Sequence, residues 1–403
     1  MSSTVASQQH ILSAIERRLH HKDFVIESHV TEEVTEKMGL LANHAFARVT
    51  VFDKSAKTER ALSFFLKIFP REEAVATFAR GAGAFPREEF VYETLDEFRL
   101  KGIDIMDSCT CQCYGFEPSG YIILEDLEAQ GYRTPDKSQC LDYDTMLLVL
   151  RHMAQFHAAS LIYEEIRTKE TGETFRIING NEERLRETLY DDSEGFANKD
   201  TLTSALNCVL TQIRYFNFPE ILEKSGKQFE ECVKEFHQMI FPLVKPSHKH
   251  RNVLCHGDLW ASNFLLKQDQ HQQVVGCKLV DFQSVRSLRQ ERMYEALGVY
   301  YSYLEKSVRY SGLSLKNLIS FEDFLESCEE QKLFSVIFAA EILPLVLGDR
   351  GKIEQYFNDA EMYRKVFRED RSVLVSDNAH NEWYIARLKE SIEDLRDECE
   401  KYF

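Results

Sequence analysis

The spacing of apolar and polar residues divides the chain into two stretches of different character. In the first, Ile11–Leu19 has apolar residues at helical intervals and predicts a short amphipathic helix. Ala45–Asp53 (AFARVTVFD) alternates like a strand, and Lys54–Arg60 is polar and turn-like. Ala61–Phe69 (ALSFFLKIF) predicts a second strand, ended by Pro70. Phe85–Phe98 places Phe90, Leu95 and Phe98 at helical spacing, with Pro86 near the helix start. Cys109–Phe116 and Tyr121–Leu127 then read as strands joined by a turn at Pro118–Gly120.

Beyond Leu127 the periodicity is helical almost throughout. Leu141–Tyr163 puts Met146, Leu150, Met153, His157 and Leu161 on one stripe, with Asp142 or Asp144 as N-cap. A β interlude follows at Val253–Leu266 and Gly276–Phe282. Phe334–Leu347, the most apolar stretch, is broken by Glu341 and Pro344 and reads as a buried helix. From Trp383 onward, Ile385, Leu388, Ile392, Leu395 and Cys399 predict a long helix packed on its own domain, since about two heptads are too few for a coiled coil. Strands and helices do not alternate. The α+β class is therefore expected over a doubly wound sheet, with a small β-rich lobe at 1–126 and a larger helical lobe at 127–403.

A chain of 403 residues is too long for one ordinary core, which agrees with two lobes. Its net charge of −17 makes nucleic acid and anionic lipid poor partners. A phosphorylated ligand would need positive charge concentrated at its own site. No apolar run reaches the ~18 residues of a membrane span, and the first residues lack a secretory apolar core. With no export signal, the ten cysteines are expected to be reduced thiols in the cytoplasm, and the chain is expected to act as a monomer. Cys109, Cys111 and Cys113 are read as one face of a packed strand rather than a metal site, because no CxxC or HxxxH partner exists elsewhere.

The densest chemistry lies in VLCHGDLWASNFLL, Val253–Leu266. Asp258 and Asn263 have the D-x-x-x-x-N spacing of a kinase catalytic loop, where the Asp meets an acceptor hydroxyl and the Asn binds Mg²⁺. Farther on, the apolar run KLVDFQ supplies Asp281, placed like the second metal-binding carboxylate. His256 is expected to orient the loop, and Trp260 to pack. Lys67, a charge within an apolar strand, needs a partner; Glu88 is expected, with Glu89 the alternative one residue on. The connector around Glu125, Asp126 and Leu127 can offer backbone groups to adenine, or its two carboxylates can be solvated linker charges.

Together these residues resemble the ecdysteroid-kinase-like, or choline-kinase-like, family, grouped with the aminoglycoside phosphotransferases and choline kinases. The resemblance runs from about Gly39 to about Tyr303 and rests on VLCHGDLWASNFLL, KLVDFQ, YIILEDLEAQGY and LDYDTMLLVLRHMAQFHAASL. It implies a two-lobed protein-kinase-like fold, with ATP and Mg²⁺ as cofactors and a small-molecule alcohol as substrate. Asp258 would be the catalytic base, Asn263 and Asp281 the metal ligands, and Lys67 with Glu88 the nucleotide ion pair. Relatives phosphorylate steroids such as ecdysteroids, and a detoxification role is proposed for others. The alternatives are a catalytically weak pseudokinase serving as a binding module, or a kinase for a cationic alcohol such as choline. Two departures bear on activity. The nucleotide loop GLLANHAFARVTV has one glycine, which leaves a backbone phosphate cradle to Leu40–Ala45. The stretch SVRSLRQERMYEALGVYYSYL lacks the Asp that relatives carry after D-F-Q to buttress the catalytic loop. Tyr294, Tyr300, Tyr301, Tyr303, Phe334, Phe338 and Leu343 are expected to contribute part of an apolar acceptor wall.

Overall fold

Helix α1 (Gln8–Leu19) opens the fold, and the Ser7 side chain caps it by accepting from the His10 N–H. Its buried Ile11, Ala14, Ile15 and Leu19 cluster with the inward positions of an antiparallel sheet. Strand β1 (Phe24–Glu33) pairs with β2 (Asn43–Asp53), and β2 with β3 (Thr58–Ile68). Alternation sends Ala45, Ala47, Val49 and Val51 of β2 and Phe64, Leu66 and Ile68 of β3 to the face that packs with α1. Burying each Ile, Leu or Phe contributes about 1.5–3 kcal/mol. The opposite face of β3 carries Phe65 and Lys67, paired across the ladder with Phe46 and His44. Helices α2 (Glu73–Gly81) and α3 (Ala84–Leu100) follow, separated at Gly83, whose φ of 60° suits a residue without a side chain. A 3₁₀ turn (Ile105–Ser108) leads to β4 (Cys113–Glu117) and β5 (Tyr121–Glu125), completing a five-stranded sheet in the order β1-β2-β3-β5-β4.

The remaining elements are mainly helical. Strand β6 (Tyr132–Arg133) precedes α4 (Tyr143–Thr171), which the Asp142 side chain caps by accepting from the Thr145 N–H. Then come α5 (Lys199–Tyr215) and α6 (Phe229–Leu243). Strands β7 (Phe264–Gln268) and β8 (Val274–Leu279) form with β6 a three-stranded sheet in the order β6-β7-β8. Helices α7 (Met293–Arg309), α8 (Phe321–Val346), α9 (Arg350–Asn358), α10 (Ala360–Arg364), α11 (Val373–Asp377) and α12 (Glu382–Tyr402) complete the chain. This computed structural model describes residues 6–34, 41–118, 120–136, 141–191, 193, 196, 199–257, 262–281 and 293–403.

By their internal contacts these elements form two units. Met1–Leu185, Val253–Val285 and Tyr294–Ser314 belong to the first, which holds both sheets, α1–α4 and α7. Arg186–Asn252 and Leu315–Phe403 belong to the second, which is helical. The second has its own core, where α6, α8 and α12 bring together Val233, Phe236, Ile337, Phe338, Ile392 and Leu395. The class is mixed α+β, an antiparallel sheet first and helices after, as expected.

Four local expectations change. The strand expected at Cys109–Phe116 begins only at Cys113. Cys109 instead closes the 3₁₀ turn, and its carbonyl accepts from the Leu279 N–H at 2.6 Å. In α4 the buried stripe runs through Thr145, Val149, His152 and Phe156, one position off the Met146–Leu150–Met153 line, and from Phe156 to Glu164 the helix is buried all round. The apolar start of the β interlude, Val253–Cys255, is not strand, and β7 begins at Phe264. Finally, Asn43, His44 and Ala45 are already in the β2–β3 ladder, opposite Ile68, Lys67 and Leu66. They are strand backbone rather than a loop curled round a phosphate; Leu40 lies outside the described residues.

Candidate active site

Lys67 projects from β3 on the face away from α1. Its ammonium donates to Glu88 Oε2 at 2.6 Å and to Asp281 Oδ1 at 2.7 Å. Glu88 comes from the second turn of α3 and is 1% exposed. Glu89, the alternative partner, is also buried but is not the residue that holds the lysine. Burial works against the charge on Lys67, but Asp281 and Glu88 outweigh it and its pKa is raised. Burial pushes the Glu88 carboxyl up, with Lys67 pulling the other way and Asp281 adding to the rise. Glu88 Oε1 is buried and has no hydrogen bond among the described residues. Two carboxylates thus share one ammonium. When both are ionised they leave an excess negative charge, which a further cation would offset.

Asp281 follows β8 in a turn with φ of 58°, a left-handed conformation that Asp tolerates better than most residues. That turn is tied to the polar loop by two hydrogen bonds. The Val280 N–H donates to the Asn263 carbonyl at 2.9 Å, and His256 Nε2 donates to the Val280 carbonyl at 3.1 Å. A carbonyl only accepts, so Nε2 carries the hydrogen. Burial lowers the pKa of His256 to about 3, which keeps the ring neutral. The next residue, Gly257, has φ of 78°, a bend that a side chain would strain. Asn263 is buried at the start of the β7 hairpin. Lys67, Glu88, Asn263 and Asp281 therefore all fall within the first unit. Asp258, Trp260, the Phe and Gln of D-F-Q and residues 284–292 after them lie outside the described residues.

The connector uses its carboxylates internally. Asp126 accepts from Ser63 Oγ at 2.5 Å and from the Ala129 N–H, and it is buried. Glu125 accepts from the Gln112 N–H and from Gln130 Nε2, and its own N–H donates to the Gln112 carbonyl. Neither is the solvated linker charge allowed above. The Leu127 carbonyl already accepts from the N–H groups of Gln130 and Tyr132. These bonds leave fewer backbone groups for a ligand than the bare sequence suggests.

Sequence reasoning missed a second buried lysine. Lys278 of β8 donates to the carbonyls of Asp107 at 2.6 Å and Thr110 at 2.8 Å, which clamps the strand bearing Asp281 to the 3₁₀ turn. A lysine inside the apolar run KLVDF was the available signal, the same one that marked Lys67. Cys109, Cys111 and Cys113 are all buried, and Cys111 Sγ lies 3.1 Å from the Tyr92 hydroxyl. Burial raises the thiols of Cys111 and Cys113 to about 11 and about 12. No cluster of three or more His, Cys, Asp or Glu suited to a metal occurs among the described residues. Of the aromatic set, Phe334 and Phe338 stack at 5.5 Å beside Tyr190 in the core of the second unit. Tyr300 and Tyr301 are buried, and Tyr294 is 57% exposed.

The sequence model of the ecdysteroid kinase-like family matches residues 45–290. A solved structure, "Structure of the GDP complex of wild-type aminoglycoside 2'-phosphotransferase-IIIa", is similar over 98% of this chain and 99% of its own, at 12% identity and a TM-score of 0.34. So low a score carries no argument. No curated protein matches. The family match spans more than half the chain and takes in Lys67, Glu88, Asn263 and Asp281. The chain belongs to the ecdysteroid kinase-like family.

Proposed function

We propose that the chain is an ATP-dependent small-molecule kinase that phosphorylates a hydroxyl of a small neutral organic substrate, such as an ecdysteroid-like steroid or a xenobiotic conjugate. The observation that carries this reading is Lys67 held between Glu88 and Asp281, with Asn263 bonded to the residue before Asp281. A kinase site needs a cation fixed for the nucleotide phosphates and oxygen ligands for a metal beside it. Asn263 and Asp281 suit Mg²⁺, which keeps several waters and binds few protein oxygens. The excess carboxylate around Lys67 agrees with a divalent ion there. When bound, Mg²⁺ neutralises charge on the transferring phosphoryl group.

In this reading Lys67 would hold the nucleotide phosphates, with Glu88 keeping it oriented. Phe65 and the Glu125–Leu127 connector would hold the nucleotide's base. The acceptor oxygen forms a bond to the γ-phosphorus, the bond from that phosphorus to the β–γ bridging oxygen breaks, and ADP leaves. The acceptor's proton passes to Asp258. Family membership supports this chemistry, and the neutral acceptor rests on the kinship with ecdysteroid kinases. No single described helix is long and apolar enough to cross a membrane.

The test is phosphoryl transfer from labelled ATP with Mg²⁺ to a panel of sterols, phenols, glycosides and choline. Transfer to a neutral alcohol is expected, and Asp258→Asn should lower it by about 10²-fold or more while nucleotide binding persists. Nucleotide binding with no transfer to any acceptor would replace the kinase reading with that of a binding module. Transfer to choline alone would move the acceptor to the cationic class.

A further inference from the structure

The 254–256 segment, just before the proposed catalytic loop, is seated on α4. The Leu254 N–H donates to Ser160 Oγ at 3.1 Å, and Ser160 Oγ donates to the His157 carbonyl at 2.7 Å. The His157 side chain in turn meets α7, where His157 Nδ1 lies 2.6 Å from the Tyr300 hydroxyl and the two rings pack edge to face. Ser160, His157, Tyr300, Leu254 and His256 are all nine-tenths or more buried. Past Leu254, the segment reaches His256, whose Nε2 donates to the Val280 carbonyl, and Val280 precedes Asp281. Buried polar contacts, joined by backbone at His157 and at 254–256, therefore lead from α7 through α4 to the turn that presents Asp281.

We propose that Tyr300, His157 and Ser160 are positioning residues that hold the 254–256 segment and, through His256, the Val280–Asp281 turn. The role in phosphotransfer rests on the kinase reading above, whereas the seat itself does not. Tyr300 is well placed for it, because α7 is the next described helix after the turn that holds Asp281. Buried hydrogen bonds of this kind fix a loop because breaking one leaves a polar group with no water to replace its partner. Both imidazoles are kept neutral by burial, so their donor and acceptor roles hold across the working pH range.

Two measurements on Tyr300→Phe and Ser160→Ala test the proposal. The first is hydrogen exchange in nucleotide-free protein. Both variants should speed exchange across 253–257 and 276–281 while leaving β2 and β3 as protected as in wild type. Unchanged exchange in those two windows overturns the proposal, whatever the protein binds. The second is the Mg²⁺ concentration needed for half-maximal Mg²⁺-dependent ATP binding. It should rise about 10-fold or more, the scale for loss of an outer partner of a metal ligand, with metal-free ATP affinity unchanged. Equal losses with and without metal would mark a general structural defect and overturn the positioning role. A wild type that binds no Mg²⁺–ATP, with exchange windows that still respond, would sink the kinase reading and leave the seat standing.

Discussion

The ammonium of Lys67 lies 2.7 Å from Asp281 Oδ1, a residue 214 positions away in the chain, while its other carboxylate partner, Glu88, is only 21 away. The local partner is buried and the distant one is about one-third exposed. In the proposed kinase, Glu88 would keep hold of the lysine, and Asp281 would be the partner that a metal and a phosphate draw off.

Lys67→Met should cost about 3–5 kcal/mol of stability, because it leaves Glu88 buried with no cation. The loss should depend on pH. The Glu88 carboxyl is already pushed up by burial, so the folded variant takes up a proton more readily than the unfolded chain. Stability then falls as pH rises, and the deficit against wild type should be smaller near pH 5 than near pH 8. Urea unfolding at both values measures it, and a deficit independent of pH would contradict this account.

Asp281→Asn separates the two tasks of that residue. In the proposed kinase it would remove a metal ligand and also free Lys67 of a competitor for phosphate. Mg²⁺-dependent ATP binding should weaken by about tenfold or more, ~1.4 kcal/mol, whereas metal-free binding should not weaken. Calorimetry with and without Mg²⁺ distinguishes the cases, and equal weakening in both would remove Asp281 from the metal site.

His256 and His157 predict an acid limit. Burial holds them down to about 3 and about 4, whereas an unfolded histidine titrates near ~6.5. Between those values the unfolded chain binds more protons, so stability falls with falling pH, by ~1.4 kcal/mol per unit for each ring. His157→Gln should flatten this slope between pH 6 and pH 4.5. Unfolding curves across that range decide it; a slope unchanged by the substitution would mean that other groups set the limit.

In the second unit, Glu341 interrupts the apolar run of α8 because it has work there. Its carboxylate lies 2.7 Å from His237 Nδ1 and accepts from the Tyr190 hydroxyl at 3.1 Å, with all three residues buried. Glu341→Leu matches the apolar pattern better, yet it should cost about 1–3 kcal/mol by stranding the buried His237 imidazole. Chemical denaturation tests it, and a neutral or stabilising result would show that water reaches that ring.

Much of this was legible in the sequence where burial is one-sided. β2 alternates because α1 covers one of its faces, and Lys67 stood out because a charge in an apolar strand needs partners. β1 was not legible: it is an edge strand with Val25, Ile26 and Val30 exposed, so no alternation marks it. The phase of α4 was misread by one residue because the helix is buried all round from Phe156 to Glu164, which erases the stripe. The Lys67–Glu88 pair was legible because the two residues are only 21 positions apart in the chain. The Tyr300–His157 contact was not, since a tyrosine and a histidine 143 residues apart carry no sign of each other.

The long reach from Lys67 to Asp281 has a consequence during synthesis. At about 5–20 residues per second, a ribosome needs roughly 10–40 s to add the 214 residues between them. The five-stranded sheet and α3 emerge well before β8 and its aspartate, so for that interval Glu88 is the only one of the two carboxylates available to the lysine. The nascent sheet can thus close round a neutral ion pair, and the excess negative charge that suits a metal arrives only when the strand bearing Asp281 is made.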